Sequence, residues 1–188
     1  MGQREDLLAG AKRCISERGY AHTTARDIVA VSGANLAAIG YHFGSKDALL
    51  STAIIETFNE WGDSLGDAIT EQIGDTPQAR LEGFVAGLLD GAAAERAILV
   101  ASVQAYAQAE FTPEVREQIA RTYVESRRDL AALVIGRQPE DVSPEEAASV
   151  GSLALALING AVLQWLIDPE RAPSAKDLST GIHRIVTG

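Results

Sequence analysis

Cysteine is nearly absent from this chain: Cys14 is the only one, so no intrachain disulfide can form. Its place in an apolar helical stripe gives it the role of a small core residue rather than a reactive thiol, and a reducing compartment fits. No cysteine pair is available for zinc, and His22, His42 and His183 lie too far apart in sequence for a metal-ligand spacing, so no metal is expected. Aromatic residues make up only 5% of a chain that is 46% hydrophobic, with a mean hydropathy of +0.02. That profile fits Ala/Leu-rich helix better than sheet and argues against disorder. The start, Met1-Gly2-Gln3-Arg4-Glu5-Asp6, is charged early and has no apolar run of the signal-peptide kind. The most apolar stretch, residues 152–167, is shorter than the roughly 20 residues of a membrane helix and carries Asn159 and Gln164. A soluble, cytoplasmic protein without a membrane partner is expected.

Catalytic constellations are also missing. No Ser-His-Asp or paired-carboxylate arrangement stands out from the general acidity. Gly44-Ser45-Lys46 matches the end of a phosphate-binding loop, but the glycine required five residues before Gly44 is replaced by Ile39. Neither enzyme activity nor a cofactor is expected. At 188 residues the chain can hold one substantial core, or a small domain joined directly to a larger one.

The formal net charge of −10 argues at first sight against nucleic acid. Its distribution argues otherwise. Residues 1–50 hold six basic residues (Arg4, Lys12, Arg13, Arg18, Arg26, Lys46) against five acidic ones, a balance of +1 that leaves −11 for the remainder. Any anion-binding surface therefore belongs to the N-terminal part.

Helix starts are written clearly along the chain. Leu7, Leu8, Ala11 and Ile15 recur at helical spacing until Gly19, which predicts a first helix over about residues 4–18. Thr24-Ala25-Arg26-Asp27 has capping-box spacing and opens a second helix that ends near Ser32-Gly33. Asn35 is a good N-cap for a third, carrying Leu36 to about Tyr41. Two short helices joined by a tight Gly-containing turn make a helix-turn-helix. Ser45 caps a long fourth helix with Asp47 in its first turn and with Leu49, Leu50, Ile54, Phe58, Trp61 and Leu65 along its apolar positions. Thr76-Pro77, Thr112-Pro113 and Ser143-Pro144 each place a cap before proline at the first helical position, and Ser174-Ala175-Lys176-Asp177 is another box. Residues 92–109 keep a helical face but show no clear start. The total is nine helices and no strand.

Residues 19–50 carry the most specific pattern: Gly19-Tyr20, Thr23-Thr24, Asp27-Ile28, Ser32-Gly33, Tyr41-His42-Phe43 and Ser45-Lys46 followed by Ala48-Leu49-Leu50. In order and spacing this run resembles the TetR family of bacterial regulators. The resemblance implies an all-α protein with a DNA-binding domain over residues 1–45 and an effector-binding and dimerisation domain over 46–188. A recognition helix needs small residues on its leading face so that its backbone can approach base edges, and Ala37 and Ala38 supply them. Thr24 and Arg26 at the start of helix two, Asn35 at the turn, and Tyr41, His42 and Lys46 beyond helix three match the family's DNA-contacting positions. Ile28, Val31, Ile39 and Phe43 form the small domain's core. Gly40 stands where many members carry Tyr or Asn, which lowers local helix stability by about 1 kcal/mol.

The segment 144–167 is apolar on nearly every side and must be buried on nearly every side. With 113–136 it is expected to build a four-helix interface between two copies through Tyr123, Leu130, Leu157, Gly160, Ala161 and Trp165. Two-fold symmetry then spaces two recognition helices about 34 Å apart on a palindromic double-stranded DNA operator. In similar proteins the helices bearing Phe58, Trp61, Phe84, Leu88, Val103, Gln104 and Tyr106 enclose a cavity for a small-molecule effector, and the same residues serve equally well as ordinary core. The resulting reading is a homodimeric repressor released from DNA by a small organic ligand. The rival is a helical protein-interaction module whose acidic C-terminal surface is the working face.

Overall fold

Side-chain caps decide where this chain enters helix. In the computed structural model, which describes residues 2–70 and 75–188 with side chains throughout except at 61–70, each capping box read from the sequence is formed. The Thr24, Ser143 and Ser174 hydroxyls accept from the backbone N–H of Asp27, Glu146 and Asp177, and each acid accepts in return from the cap's N–H. Asn35 and Thr76 cap with their side chains as well. The described helices are α1 (Gln3–Arg18), α2 (Ala25–Ser32), α3 (Leu36–Phe43), α4 (Lys46–Thr70), α5 (Pro77–Gly91), α6 (Arg96–Gln108) and α7 (Pro113–Ile135), then a 3₁₀ turn at Pro139–Asp141. After these come α8 (Pro144–Ile167) and α9 (Ala175–Thr187). Helix α3 runs two residues past the expected end, to Phe43, because Gly44 is the residue that leaves helical geometry. The start of α6 was hidden from sequence for a physical reason. The carbonyl of Gly91 accepts from the N–H of both Ala94 and Glu95, so a backbone turn rather than a side-chain cap restarts the helix.

The chain packs as two compact units, Met1–Trp61 with Arg96–Thr122, and Gly62–Glu95 with Tyr123–Gly188. In the first, the α1 stripe of Leu7, Leu8, Ala11, Cys14 and Ile15 meets Ile28 of α2, Ile39 of α3, and Leu49, Leu50, Ala53 and Ile54 of α4. Ile98, Ala101 and Ala105 of α6 join the same core. This differs from a division at residue 45: the first turns of α4 are core to the N-terminal helices, and α6 arrives from later in the chain. Helices α1 and α2 approach closely at Gly10, where a Cβ would lie 2.9 Å from the Ser32 Cβ and 3.1 Å from the Ile28 carbonyl oxygen. Lys12 ties α1 to α4 by pairing with Glu60 at 2.7 Å and Glu56 at 3.4 Å. Half-exposed pairs of this kind contribute at most about 1 kcal/mol.

Tyr20 is buried in this core, and among the described residues its hydroxyl has no hydrogen-bond partner. Burial first, and the Asp47 carboxylate second, push its pKa up to about 12.

The second unit is built around small residues. Phe84, Val85 and Leu88 of α5, Ala131, Ala132 and Val134 of α7, Ala154, Ile158, Ala161 and Val162 of α8, and Ala175 of α9 are all buried. Helix α8 crosses α7 so closely at Gly151 that an added Cβ would collide with the backbone of Arg127. At the same place, over Ala147–Gly151, α8 widens to π-helical spacing, the kind of local insertion that re-aims a helix. Asn159, a polar residue in an apolar helix, donates through Nδ2 to the Tyr123 hydroxyl at 3.1 Å and so joins α8 to α7. The C-terminus of α7 is held by Arg80 of α5, which donates to the carbonyls of Val134 and Ile135 at 3.0 Å each. Gly136, at φ 78°, turns the chain beside that guanidinium. A cation at a helix C-terminus also complements its dipole.

Two outcomes test this packing. Tyr20→Phe removes a buried, unpaired hydroxyl and is expected to leave thermal stability at pH 7 unchanged or raised by up to about 1 kcal/mol. Because the folded-state pKa lies above the ordinary tyrosine value, the neutral ring's contribution is complete below about pH 10. That contribution is lost as pH rises toward about 12, and the variant should be spared the alkaline decline; thermal melts at the two pH values measure both effects. Gly151→Ala forces a methyl onto backbone and should cost about 2 kcal/mol in urea unfolding. An unchanged midpoint would mean the α7–α8 crossing is looser than described.

Candidate nucleic-acid interface

Helices α2 and α3 are joined by a tight turn that begins at Gly33, in the left-handed conformation with φ 71°. At the start of α2 the Thr24 hydroxyl donates to Asp27 Oδ2 at 2.6 Å and accepts from the Asp27 N–H at 3.2 Å. Arg18 donates to Asp27 Oδ1 at 2.6 Å. The Thr24 hydrogen bonds above all, with Arg18 adding to them, hold the Asp27 carboxyl below its ordinary value. The O–H of Thr24 is thus engaged inside the cap in the free chain. The cap fixes the first turn of α2, where the N–H groups of Ala25 and Arg26 have no carbonyl four residues back within the helix. Such a helix start is itself an anion site. Arg26 is exposed beside it and, among the described residues, has no acidic partner.

Helix α3 turns one side inward. Ala38 and Ile39 are buried, with Phe43 packed against the same core. Ala38 is only 5% exposed, which corrects its placement on the leading face: with Ile39 it anchors α3 to the core. The outward side carries Leu36, Ala37, Gly40 and Tyr41, with Leu36 53% and Tyr41 86% exposed. Gly40 replaces Ala38 as the second small residue of that face, and a Cβ built there would meet nothing within 4 Å. Asn35 accepts through Oδ1 from the Ala37 N–H at 2.6 Å.

Around the C-terminal end of α3 the rings of Tyr41 and His42 meet edge to face at 4.9 Å between centroids. Lys46 is half-buried, its Nζ donating to the Thr23 carbonyl at 3.4 Å and lying 3.1 Å from Asp47. It braces the turn as well as carrying charge. Sequence reasoning missed Arg4, whose guanidinium lies 5.3 Å from the centre of the Phe43 ring and adds a cation at this end of α3. The two residues are far apart in the chain, and no local pattern links them. The uncharged outward face of α3 thus has Arg4 at its C-terminal end, Lys46 beyond it and Arg26 exposed on α2.

The residues expected at an interface take different places within the single chain. Ala161 is 1% exposed within a single chain, and Tyr123 is engaged with Asn159, so both serve the internal α7–α8 packing. Leu157 lines a small apolar cleft with Leu81, Val85, Leu178 and Ile182, closed by α5 and α9. Leu130, Gly160 and Trp165 are half-buried. The open side of α8 carries Gly160 together with Leu153, Ala156, Leu163 and Ile167, with Leu153 53%, Leu163 43% and Ile167 82% exposed. Helix α8 as a whole is 24 residues long, and by length and composition alone it could span a membrane, as an apolar core helix also could.

Of the residues expected around an effector, Phe84 and Leu88 are buried in the second unit. Phe58 packs on the first unit's core, Val103 is half-buried and Tyr106 is 40% exposed. Gln104 has a buried Oε1 without a hydrogen bond. The side chain of Trp61 lies outside the described residues.

Comparison with known proteins bears on the whole chain. Residues 7–53 match the model for bacterial regulatory proteins of the tetR family, and residues 77–184 match the C-terminal region of BetI-type transcriptional repressors. The HTH-type transcriptional regulator BetI of Brucella anthropi is 26% identical over 173 residues, which cover 92% of this chain and 86% of that protein. A putative transcriptional regulator from Rhodococcus sp. RHA1 superposes with a TM-score of 0.74 at 19% identity, covering 98% of this chain and 95% of that one. Another, from Saccharomonospora viridis and solved in complex with choline, has a TM-score of 0.64 at 23% identity over 97% and 94% of the two chains. The helix-turn-helix geometry and these matches together establish that this chain belongs to the TetR family of bacterial transcriptional regulators, with a C-terminal region of the BetI type.

Proposed function

We propose that the protein is a cytoplasmic homodimeric repressor that occupies a palindromic operator and leaves it when a small organic effector binds. The observation that supports the DNA reading is the outward face of α3, Leu36, Ala37, Gly40 and Tyr41, which is uncharged and small at its centre, with Arg4 at its C-terminal end, Lys46 beyond it and Arg26 exposed on α2. Small residues at the centre of the face let the helix backbone approach base edges, and Arg4, Arg26 and Lys46 can then meet phosphates on either side. In this reading residues 1–45 hold the DNA contacts, and 46–188 supply effector binding and dimerisation without catalysis.

The partner surface is the open side of α8. Positions 153, 156, 160, 163 and 167 alternate by three and four, the spacing of a helix–helix seam. Their residues, Leu153, Ala156, Gly160, Leu163 and Ile167, put small side chains at the middle and large ones at the ends. A second copy related by a two-fold axis presents the same stripe to itself.

For the effector, the likeness to BetI-type regulators and to a choline-bound relative makes small quaternary ammonium compounds the first class to screen. Gln104, with its unpaired carbonyl oxygen, is the polar group proposed to face the ligand. Coupling of effector and operator must be reciprocal and typically amounts to about 1–3 kcal/mol.

Genomic-fragment selection with the purified protein, followed by titration of the winning site, tests the central reading. A palindromic site is expected, with affinity falling steeply as salt rises. Arg26→Ala should weaken binding to all sequences alike and reduce the log–log salt slope by about 1 per subunit. No sequence preference would overturn the reading in favour of a protein-interaction module. For the partner surface, Leu163→Glu and Ile167→Glu are expected to convert a dimer into a helical monomer in sedimentation velocity, with operator affinity lost in parallel. A wild-type monomer, or variants that remain dimeric, would refute the α8 seam.

A further inference from the structure

The outward face of α3 has apolar groups where a reader of bases usually carries forked polar ones. Each base pair presents a pattern of hydrogen-bond donors and acceptors in the major groove, and thymine adds a C5-methyl group. Selecting guanine or adenine by hydrogen bonding takes a side chain with two suitably placed polar atoms, such as Arg for guanine or Asn and Gln for adenine. Of the outward positions of α3, Leu36, Ala37 and Gly40 carry none, and Tyr41, in the last turn, has a single hydroxyl rather than a fork. Asn35 sits just ahead of them, but its Oδ1 is already taken by the Ala37 N–H at 2.6 Å, so its amide has only donors left. It cannot offer adenine both halves of a fork. Arg26 lies at the start of α2, the helix that crosses the backbone in this motif, and Lys46 is braced against Thr23 and Asp47.

What remains at the first turn of α3 is Leu36, a large aliphatic side chain left 53% exposed. In a helix-turn-helix the N-terminal residues of the recognition helix are the ones that meet base edges. An apolar side chain there has one apolar partner among unmodified bases, the thymine methyl.

We propose that this regulator reads its operator through thymine methyl groups, with Leu36 as the specificity-determining residue and Ala37 and Gly40 permitting the close approach. This rests on the DNA-binding reading and goes further by naming the chemistry of the contacted base. Ordinary hydrogen-bond readout plays the smaller part at these positions, and the rest of the affinity comes from phosphates.

The test uses synthetic duplexes of the selected operator in which each thymine in turn is replaced by deoxyuridine, which loses the methyl and keeps every hydrogen-bonding group. At one or two symmetric positions per half-site the wild-type protein is expected to bind about fourfold more weakly for each methyl removed. At those positions cytosine should also bind weakly, and 5-methylcytosine should recover part of the loss. Leu36→Ala, a change at an exposed position that circular dichroism should show to be folded, is expected to bind the thymine and deoxyuridine duplexes equally at the position it faces. Deoxyuridine without effect at every thymine, or an undiminished penalty in Leu36→Ala, would overturn the proposal while leaving DNA binding intact. Failure of the selection to return any preferred sequence would instead strike the underlying reading.

Discussion

An eight-residue helix cannot hold itself together in water, and α3 is eight residues long. Its existence depends on burying Ala38 and Ile39 in a core already made by α1, α2, α4 and α6. That single constraint orders the rest of the N-terminal unit. It sets which side of α3 faces out, since a helix anchored by positions 38, 39 and 43 must present 36, 37, 40 and 41. The Asn35 cap and the stop at Gly44 then fix its two ends. The outward surface of α3 is thus what remains when the core has taken its share, and its uncharged character follows from the residues left over.

Charge plays a different part from the one the total would indicate. At −10 the protein as a whole repels nucleic acid. Screening over about 10 Å in ordinary buffer makes the local arrangement decide, and cations around α3 act at contact range. Of the carboxylates beside the site, Asp27 is occupied by Thr24 and Arg18 and serves the start of α2, and Asp47 lies 3.1 Å from Lys46. Acidity in the remainder of the chain opposes binding by charge alone.

Helix α8 solves two packing problems with one composition. Its inner side places Gly151 against the backbone of Arg127 and buries Ala154 and Ala161, while Ala156 and Gly160 keep the middle of the outer side shallow. An apolar helix with small residues on opposite sides can be gripped from both. The membrane-like composition of this segment therefore has a counterpart in helix packing, and Asn159 is satisfied by Tyr123 rather than left bare.

The sequence by itself determined most of the helix starts, the helix-turn-helix and the family, because caps, glycine stops and heptad-like stripes act over a few residues and are legible at that range. Every Ser, Thr or Asn cap read at Thr24, Asn35, Thr76, Ser143 and Ser174 forms as expected. Only the tertiary structure decided which of two adjacent alanines faces out, that Thr24 is engaged in its own cap, and that Arg4 joins Phe43. The same holds for the turn that opens α6, for Arg80 on the end of α7, and for the side of α8 left uncovered. These depend on the rotation of each helix about its axis and on partners dozens of residues away. A helix apolar on all sides has no periodicity from which to read its orientation, so neighbouring elements must supply it.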